Sequence, residues 1–224
     1  MSKKIASGAD IIFIDIKVGK GALIKTKKDA ATIGTWMKEI GKHYNKKVVT
    51  LISDMNTPLS NSIGNALEVD EAIRALKGDD NRLAEASKEI ASILISLAKK
   101  ISIQEALEMV ENVINNGAAY KKFLEFVKYQ GGDIKKLKIN AKIKVIKSDK
   151  NGKLTAIDAG KIWYLALKLG AGKINDTEKI DYSAGIKIYI NIGDKIKKND
   201  ILATLYTNKN INLTEEDINC FEIE

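Results

Sequence analysis

Apolar positions recur along this chain with two different periods, and the switch between them divides it. Ser2 to Ala6 reads as the last turn of a helix stopped by Gly8. Ile11, Ile12, Phe13, Ile14 and Ile16 then form a short apolar run, suited to a buried parallel strand. Val18-Gly19-Lys20-Gly21-Ala22 is a glycine loop, and Thr26 can cap a helix whose Ala30, Ile33, Met37 and Ile40 share one face. Lys47 to Ser53 predicts a second buried strand, so the opening order is helix end, strand, helix, strand. A long connection from Asp54 to Gly64 carries the single proline, Pro58. Four helical stretches follow. Ala66, Val69, Ile73 and Leu76 mark the first, closed by Gly78, and the second runs from about Arg82 to Lys99. The third opens on Ser102 and Glu105, spaced as a capping box, and the fourth carries Phe123, Leu124, Phe126 and Val127 before Gly131-Gly132.

Beyond Gly132 the period falls to two. Ala141, Ile143 and Val145 alternate with lysines as a half-exposed strand, and Ser148 to Gly152 is a hairpin signal. A helix from Asp158 to Leu169, containing Trp163, stops at Gly170. Ile186, Ile188 and Ile190 alternate, Ile192-Gly193-Asp194 turns, and Ile201 to Tyr206 is a last strand. The pattern predicts an α/β fold. Residues 1–9 form a helix remnant, and 10–136 a partial central α/β domain with a mixed or parallel sheet and helices. A small C-terminal α+β domain follows over 137–224.

Composition narrows the functional classes. At 224 residues, 45% apolar and 29% charged, the chain is expected to bury a real core. No apolar run is long enough to span a bilayer, and the first ten residues contain no apolar signal core. A single cysteine excludes an internal disulfide framework, so a cytoplasmic setting is expected, with no membrane partner. The net charge of +8 is carried almost wholly by lysine, Arg74 and Arg82 being the two arginines. Aromatics are only 6%, so the basic surface predicts a solvated lysine coat and no nucleic-acid partner.

Few residues carry obvious chemistry. His43, the single histidine, falls at a helix C-terminus, where its positive form is favoured. Cys220 reads as a small buried residue. Gly19-Lys20-Gly21 lies between strand and helix, where either a phosphate cradle or a plain tight turn can form. Asp15 and Lys17 flank the strand end, where ligands of open α/β sheets collect.

Three stretches together resemble the pyrimidine-nucleoside phosphorylase and thymidine phosphorylase family. They are SKKIASGADIIFIDIKVGKGA from Ser2, LISDMNTPLSNSIGNALEVDEAIRALK from Leu51, and IGDKIKKNDILATLY from Ile192. The resemblance implies phosphorolysis of uridine or thymidine to free base and pentose 1-phosphate, with phosphate as co-substrate. Family members are roughly twice as long, and their phosphate loop, Lys-His-Ser-Thr-Gly-Gly, has no counterpart here. The chain is therefore expected to be the C-terminal part of such an enzyme, inactive alone and completed by an N-terminal partner chain; the family forms homodimers. By the resemblance, Lys3 contacts the pyrimidine base and Leu23 matches an apolar wall of its pocket. Leu59, Ser62 and Glu71 match potassium ligands, the first two through backbone carbonyls, the rest of that site coming from the missing loop region. The plain alternative for Glu71 is an exposed helix residue paired with Arg74.

Two other classes compete. A phosphoribosyltransferase of related fold lacks support, because no acidic magnesium pair is present. A non-catalytic carrier or binding module is suggested by IGDKIKKNDILATLYT, which is similar to half of a biotinyl or lipoyl barrel. A carrier needs a modified lysine on an exposed turn; Lys150 is on such a turn, but its neighbours do not match an acceptor. Intact-mass measurement of the purified chain is expected to give the unmodified 24.6 kDa, whereas a biotinyl or lipoyl adduct at Lys150 would select the carrier class.

Overall fold

The computed structural model describes residues 1–224, apart from the side chains of 216 and 218. Helix α1 (Ser2–Ala6) is a single short turn, and strand β1 (Ile11–Val18) follows. Helix α2 (Lys27–His43) then crosses to β2 (Lys47–Asp54), which pairs with β1 in parallel, Ile11 opposite Lys47 through Val18 opposite Asp54. Thr26 caps α2 by accepting the Asp29 amide at 3.1 Å. Ala30, Gly34 and Gly41 are the buried residues of α2, small enough to seat the helix on the sheet. Ile12, Ile14, Ile16 and Val18 form the core under it, joined by Met1 and Ile5 of the α1 region. The expectation of a second buried strand is corrected, since none of the eight β2 residues is fully buried. The cause is topological: the sheet has two strands, so β2 has a neighbour on one side only.

The connection after β2 contributes a short strand, β3 (Ser62–Ile63), before α3 (Asn65–Leu76). Helices α4 (Arg82–Lys99), α5 (Ile103–Asn115) and α6 (Ala118–Tyr129) form a helical layer. The Ser102 capping box is present, with Glu105 bonded back to the Ser102 amide at 2.8 Å. A 3₁₀ turn over 134–136 leads out of this layer.

The C-terminal region contains β4 (Lys142–Lys147), β5 (Gly152–Ile157), α7 (Ala159–Leu169), β6 (Gly185–Ile188), β7 (Lys195–Ile196), β8 (Ile201–Thr207), α8 (Glu215–Ile218) and β9 (Phe221–Ile223). These strands form two sheets, ordered β3-β6-β8-β4 and β7-β5-β9. The hairpin expected at 148–152 does not form, because β4 and β5 lie in different sheets. Ser148 instead continues along the β8 side, its amide donating to Asp200 O and its carbonyl accepting from Asn199. The partners of β5 are the distant β7 and β9, and no local turn signal reveals them.

One core draws on both sheets and α7, with Leu154, Ile162, Leu165, Leu169, Ile186 and Leu205 almost wholly buried. The alternation in β4 points the other way from a simple reading of its apolar residues. Ile146 faces the core, while Ile143 and Val145 lie on the open face of this edge strand. Leu165→Ala is expected to cost about 2–5 kcal/mol, read as a lower urea midpoint. Ile143→Ala, at a 62% exposed position, is expected to change stability by under about 0.5 kcal/mol.

Candidate functional site

Backbone donor accounting decides the glycine loop. Gly19 N–H donates to Ile24 O at 3.1 Å, Gly21 N–H to Met55 O at 3.0 Å and Ala22 N–H to Gly19 O at 3.0 Å. Lys20 N–H donates to Asn56 Oδ1 at 3.0 Å. A phosphate cradle needs amides that point at the ligand, and all four are engaged within the chain. The loop is therefore a tight joint. Its glycines are required by close approach: a Cβ on Gly21 would stand 2.7 Å from Ala159 Cβ, and one on Gly19, at φ +139°, would meet Asn56 N at 2.6 Å. Lys20 Nζ reaches Glu222 at 3.3 Å and Asp158 at 3.6 Å, and the Glu222 carboxylate raises the pKa of this ammonium. The joint thus ties the strand ends to the N-terminus of α7.

Beside it, at the carboxyl ends of β1 and β2, lies a cavity of about 310 Å³ bounded by Val18, Gly19, Lys25, Ser53, Asp54 and Asn56. Parallel α/β sheets bind ligands at this end. Asp15 is engaged there already, accepting from the Ser53 hydroxyl at 2.5 Å and pairing with Lys17 at 2.7 Å.

The most deeply buried carboxylate among the described residues is Glu71, 2% exposed on α3. It does not pair with Arg74, which binds Asp70 at 3.2 Å and Asp79 at 3.4 Å, so the exposed-residue alternative is overturned. Glu71 Oε2 accepts from the Ser60 hydroxyl at 2.8 Å, and Oε1 from the Asn61 amide at 3.2 Å. Ser60 Oγ also lies 2.7 Å from Ser62 O, so a carboxylate, a hydroxyl and a carbonyl converge. Ser62 is buried and Leu59 half-exposed on the same turn. Among the described residues no ion pair reaches Glu71. A buried carboxylate held by neutral donors in an all-oxygen setting suits a hard monovalent or divalent cation.

The other expected site residues are more open. Lys3 is exposed on α1, and Leu23 is completely exposed, with nothing packed on it. His43 is exposed at the end of α2, its ring edge-on to Tyr44. Cys220 is buried, which pushes its thiol up to about 12. Lys150 is a solvated turn residue. Sequence reasoning missed Ser60, Asn61 and Asn56. The available signal was the run of turn-forming Asp, Asn, Pro and Ser between two apolar elements. Asn56 is central, because its carbonyl also accepts the Ala159 amide at 2.9 Å.

Fold and site together describe an α/β protein whose strand-end joint and oxygen-lined buried carboxylate are both locked to a β-rich C-terminal unit. The family model of the pyrimidine nucleoside phosphorylase C-terminal domain matches residues 153–219. The chain is 40% identical over 217 residues to the pyrimidine-nucleoside phosphorylase of Bacillus subtilis (strain 168), and 38% identical to that of Staphylococcus aureus (strain N315). Each match takes in 93% of this chain and 50% of the relative, so the chain spans about half the length of the curated relatives it matches. It resembles their C-terminal part. No helix of the described residues is long and apolar enough to cross a membrane.

Glu71→Ala leaves the Ser60 hydroxyl and the Asn61 amide without their acceptor. The expected loss is about 1–3 kcal/mol in urea unfolding, with the β3 amides exchanging faster. An unchanged midpoint would show that the carboxylate does not hold the turn.

Proposed function

We propose that the chain is the C-terminal part of a pyrimidine-nucleoside phosphorylase, a pentosyltransferase of cytosolic nucleoside salvage. The observation that carries this reading is the similarity over 93% of the chain, which includes the SDMNTPLSNSIGNALEVDEAI stretch around the buried Glu71. In the completed enzyme, phosphate attacks the anomeric carbon of the nucleoside, the glycosidic bond to the pyrimidine nitrogen breaks, and the base departs with the bonding pair. Lys3 would donate a charge-assisted hydrogen bond to the base as negative charge develops on it. Leu23, fully exposed in this chain, would supply apolar wall to the base once the opposite side of the pocket is in place.

Glu71, with the carbonyls of Leu59 and Ser62, would hold a potassium ion, whose charge would order the neighbouring phosphate loop. The convergence of Glu71, Ser60 Oγ and Ser62 O supports this. The glycine loop supplies no anion donors, so phosphate has to be bound by the half of the enzyme that the relatives carry upstream, joined to this chain or provided as a partner. Homodimerisation as in the family is part of the same reading.

The test is release of free base from uridine and thymidine with phosphate and potassium. The 224-residue chain alone is expected to show no turnover, because positioning and preorganised charge supply most of catalysis. Co-expression with the N-terminal half of the Bacillus subtilis relative is expected to restore turnover, and Lys3→Ala to remove it again. Turnover by the chain alone that depends on Lys3 would show that phosphate binds elsewhere. No turnover in either case would sink the reading.

A further inference from the structure

We propose that the C-terminal unit sets the affinity for the nucleoside without touching it, by holding the loop that carries Leu23, and that Asn56 is the positioning residue through which it acts. The inference rests on reading Leu23 as apolar wall to the base, and it adds what fixes that wall. Leu23 is fully exposed, so side-chain packing does not place it. Its place comes from the backbone on either side. Gly19 N–H donates to Ile24 O, Ala22 N–H donates to Gly19 O, and Val18 bridges to Ile24, which closes residues 18–24 into one small turn. The Lys25 ammonium ties the same turn, donating to Lys20 O at 3.0 Å. With the turn closed on itself, whatever grips its outside decides where Leu23 stands.

Two elements grip it. On one side, Gly21 N–H donates to Met55 O and Lys20 N–H to Asn56 Oδ1. On the other stands the start of α7: a side chain on Gly21 would fall 2.7 Å from Ala159 Cβ, and one on Gly160 would begin 3.3 Å from Lys20 O. Asn56 belongs to both sides. Its side-chain oxygen takes the Lys20 amide, its main-chain oxygen takes the Ala159 amide at 2.9 Å, and its side-chain amide donates to Asp54, which holds the rotamer. Lys20 Nζ adds ion pairs to Asp158 and Glu222, but these are exposed and therefore weak. The neutral bonds of Asn56 carry the placement. Helix α7 is a firm jaw, because Ile162, Leu165 and Leu169 anchor it in the two-sheet core. A wall that meets the base equally in the ground and transition states contributes uniform binding. Displacing it raises KM for the nucleoside and spares kcat.

The test uses the full 224-residue chain co-expressed with the N-terminal half of the Bacillus subtilis relative. Asn56→Ala removes the acceptor of the Lys20 amide and keeps the main-chain bond to Ala159. It is expected to raise KM for uridine about tenfold, with kcat within about twofold and KM for phosphate unchanged. Gly160→Val crowds Lys20 O from the C-terminal unit and is expected to raise the uridine KM as well; it decides alone if Asn56→Ala does not fold. A purely structural role would lower the amount of active enzyme, and so kcat, at constant KM. An unchanged uridine KM in either folded variant, or a phosphate KM that rises as much, overturns the proposal. Amide exchange in the chain without its partner separates this inference from the phosphorylase reading. The Lys20, Gly21 and Ala22 amides are expected to exchange about tenfold or more faster in Asn56→Ala than in the wild type, and unchanged exchange overturns the proposal. Loosening of the loop without turnover by the wild-type pair removes the phosphorylase reading and keeps the hold of Asn56 on the loop.

Discussion

A carboxylate that is 2% exposed and meets no cation among the described residues must be held by dipoles, and the holding of Glu71 organises the middle of the chain. Its two oxygens take the Ser60 hydroxyl and the Asn61 amide, which folds the turn after Pro58 back onto α3. That turn presents Asn61 O to the Ile188 amide at 2.7 Å and leads Ser62 and Ile63 into β3 beside β6. The backbone then passes so close to Gly185 that a side chain on either Gly64 or Gly185 would run into the opposite strand. Gly64 has φ +129°, open to glycine and strained for other residues. One buried charge thus fixes the route by which the parallel pair is joined to the antiparallel sheet.

The glycine loop is the second fastening, and it works by the same arithmetic of donors. A strand-to-helix glycine loop becomes an anion site only when its amides are left for a ligand. Here they are taken by Ile24, Met55, Gly19 and Asn56, and Asn56 also receives the first amide of α7. The 54–64 connection therefore works from both ends, Asn56 holding the loop and α7, Ser60 and Asn61 holding α3 and β6. A long segment without regular structure is tolerated in a compact protein when its polar groups are matched in this way.

Elements with a clear period were legible in the sequence: β1, the helices from α2 to α7, and β8 all fall where their apolar spacing and caps place them. What failed was pairing and burial. The 148–152 turn has hairpin chemistry, yet Leu154 and Ile157 bury into a sheet whose other strands arrive some forty to seventy residues later. Strand β2 carries an apolar run, Val48, Val49, Leu51 and Ile52, and nothing in Lys47 to Ser53 tells that its sheet has no third strand within these residues. Glu71 was readable only through resemblance, because i,i+3 spacing to Arg74 suggested a surface pair. The structure gives Arg74 two other carboxylates, Asp70 and Asp79, leaving Glu71 to the Ser60 turn. The glycine loop could not be decided from its own residues, since the acceptors that occupy its amides lie thirty or more positions away for two of them.

The two groups that resemblance assigns to the base, Lys3 and Leu23, stand apart in kind from the two fastenings. Glu71 and the glycine loop are over-determined by hydrogen bonds, whereas Lys3 sits on a five-residue helix and Leu23 is bare. A single helical turn has little stability of its own, because nucleation fixes several dihedrals for one hydrogen bond. Its order comes from Met1 and Ile5 against β1. Precise placement of a charged group needs a locked support. The rigidity of the Lys3 ammonium therefore depends on the packing of Met1 and Ile5 along α1 against β1.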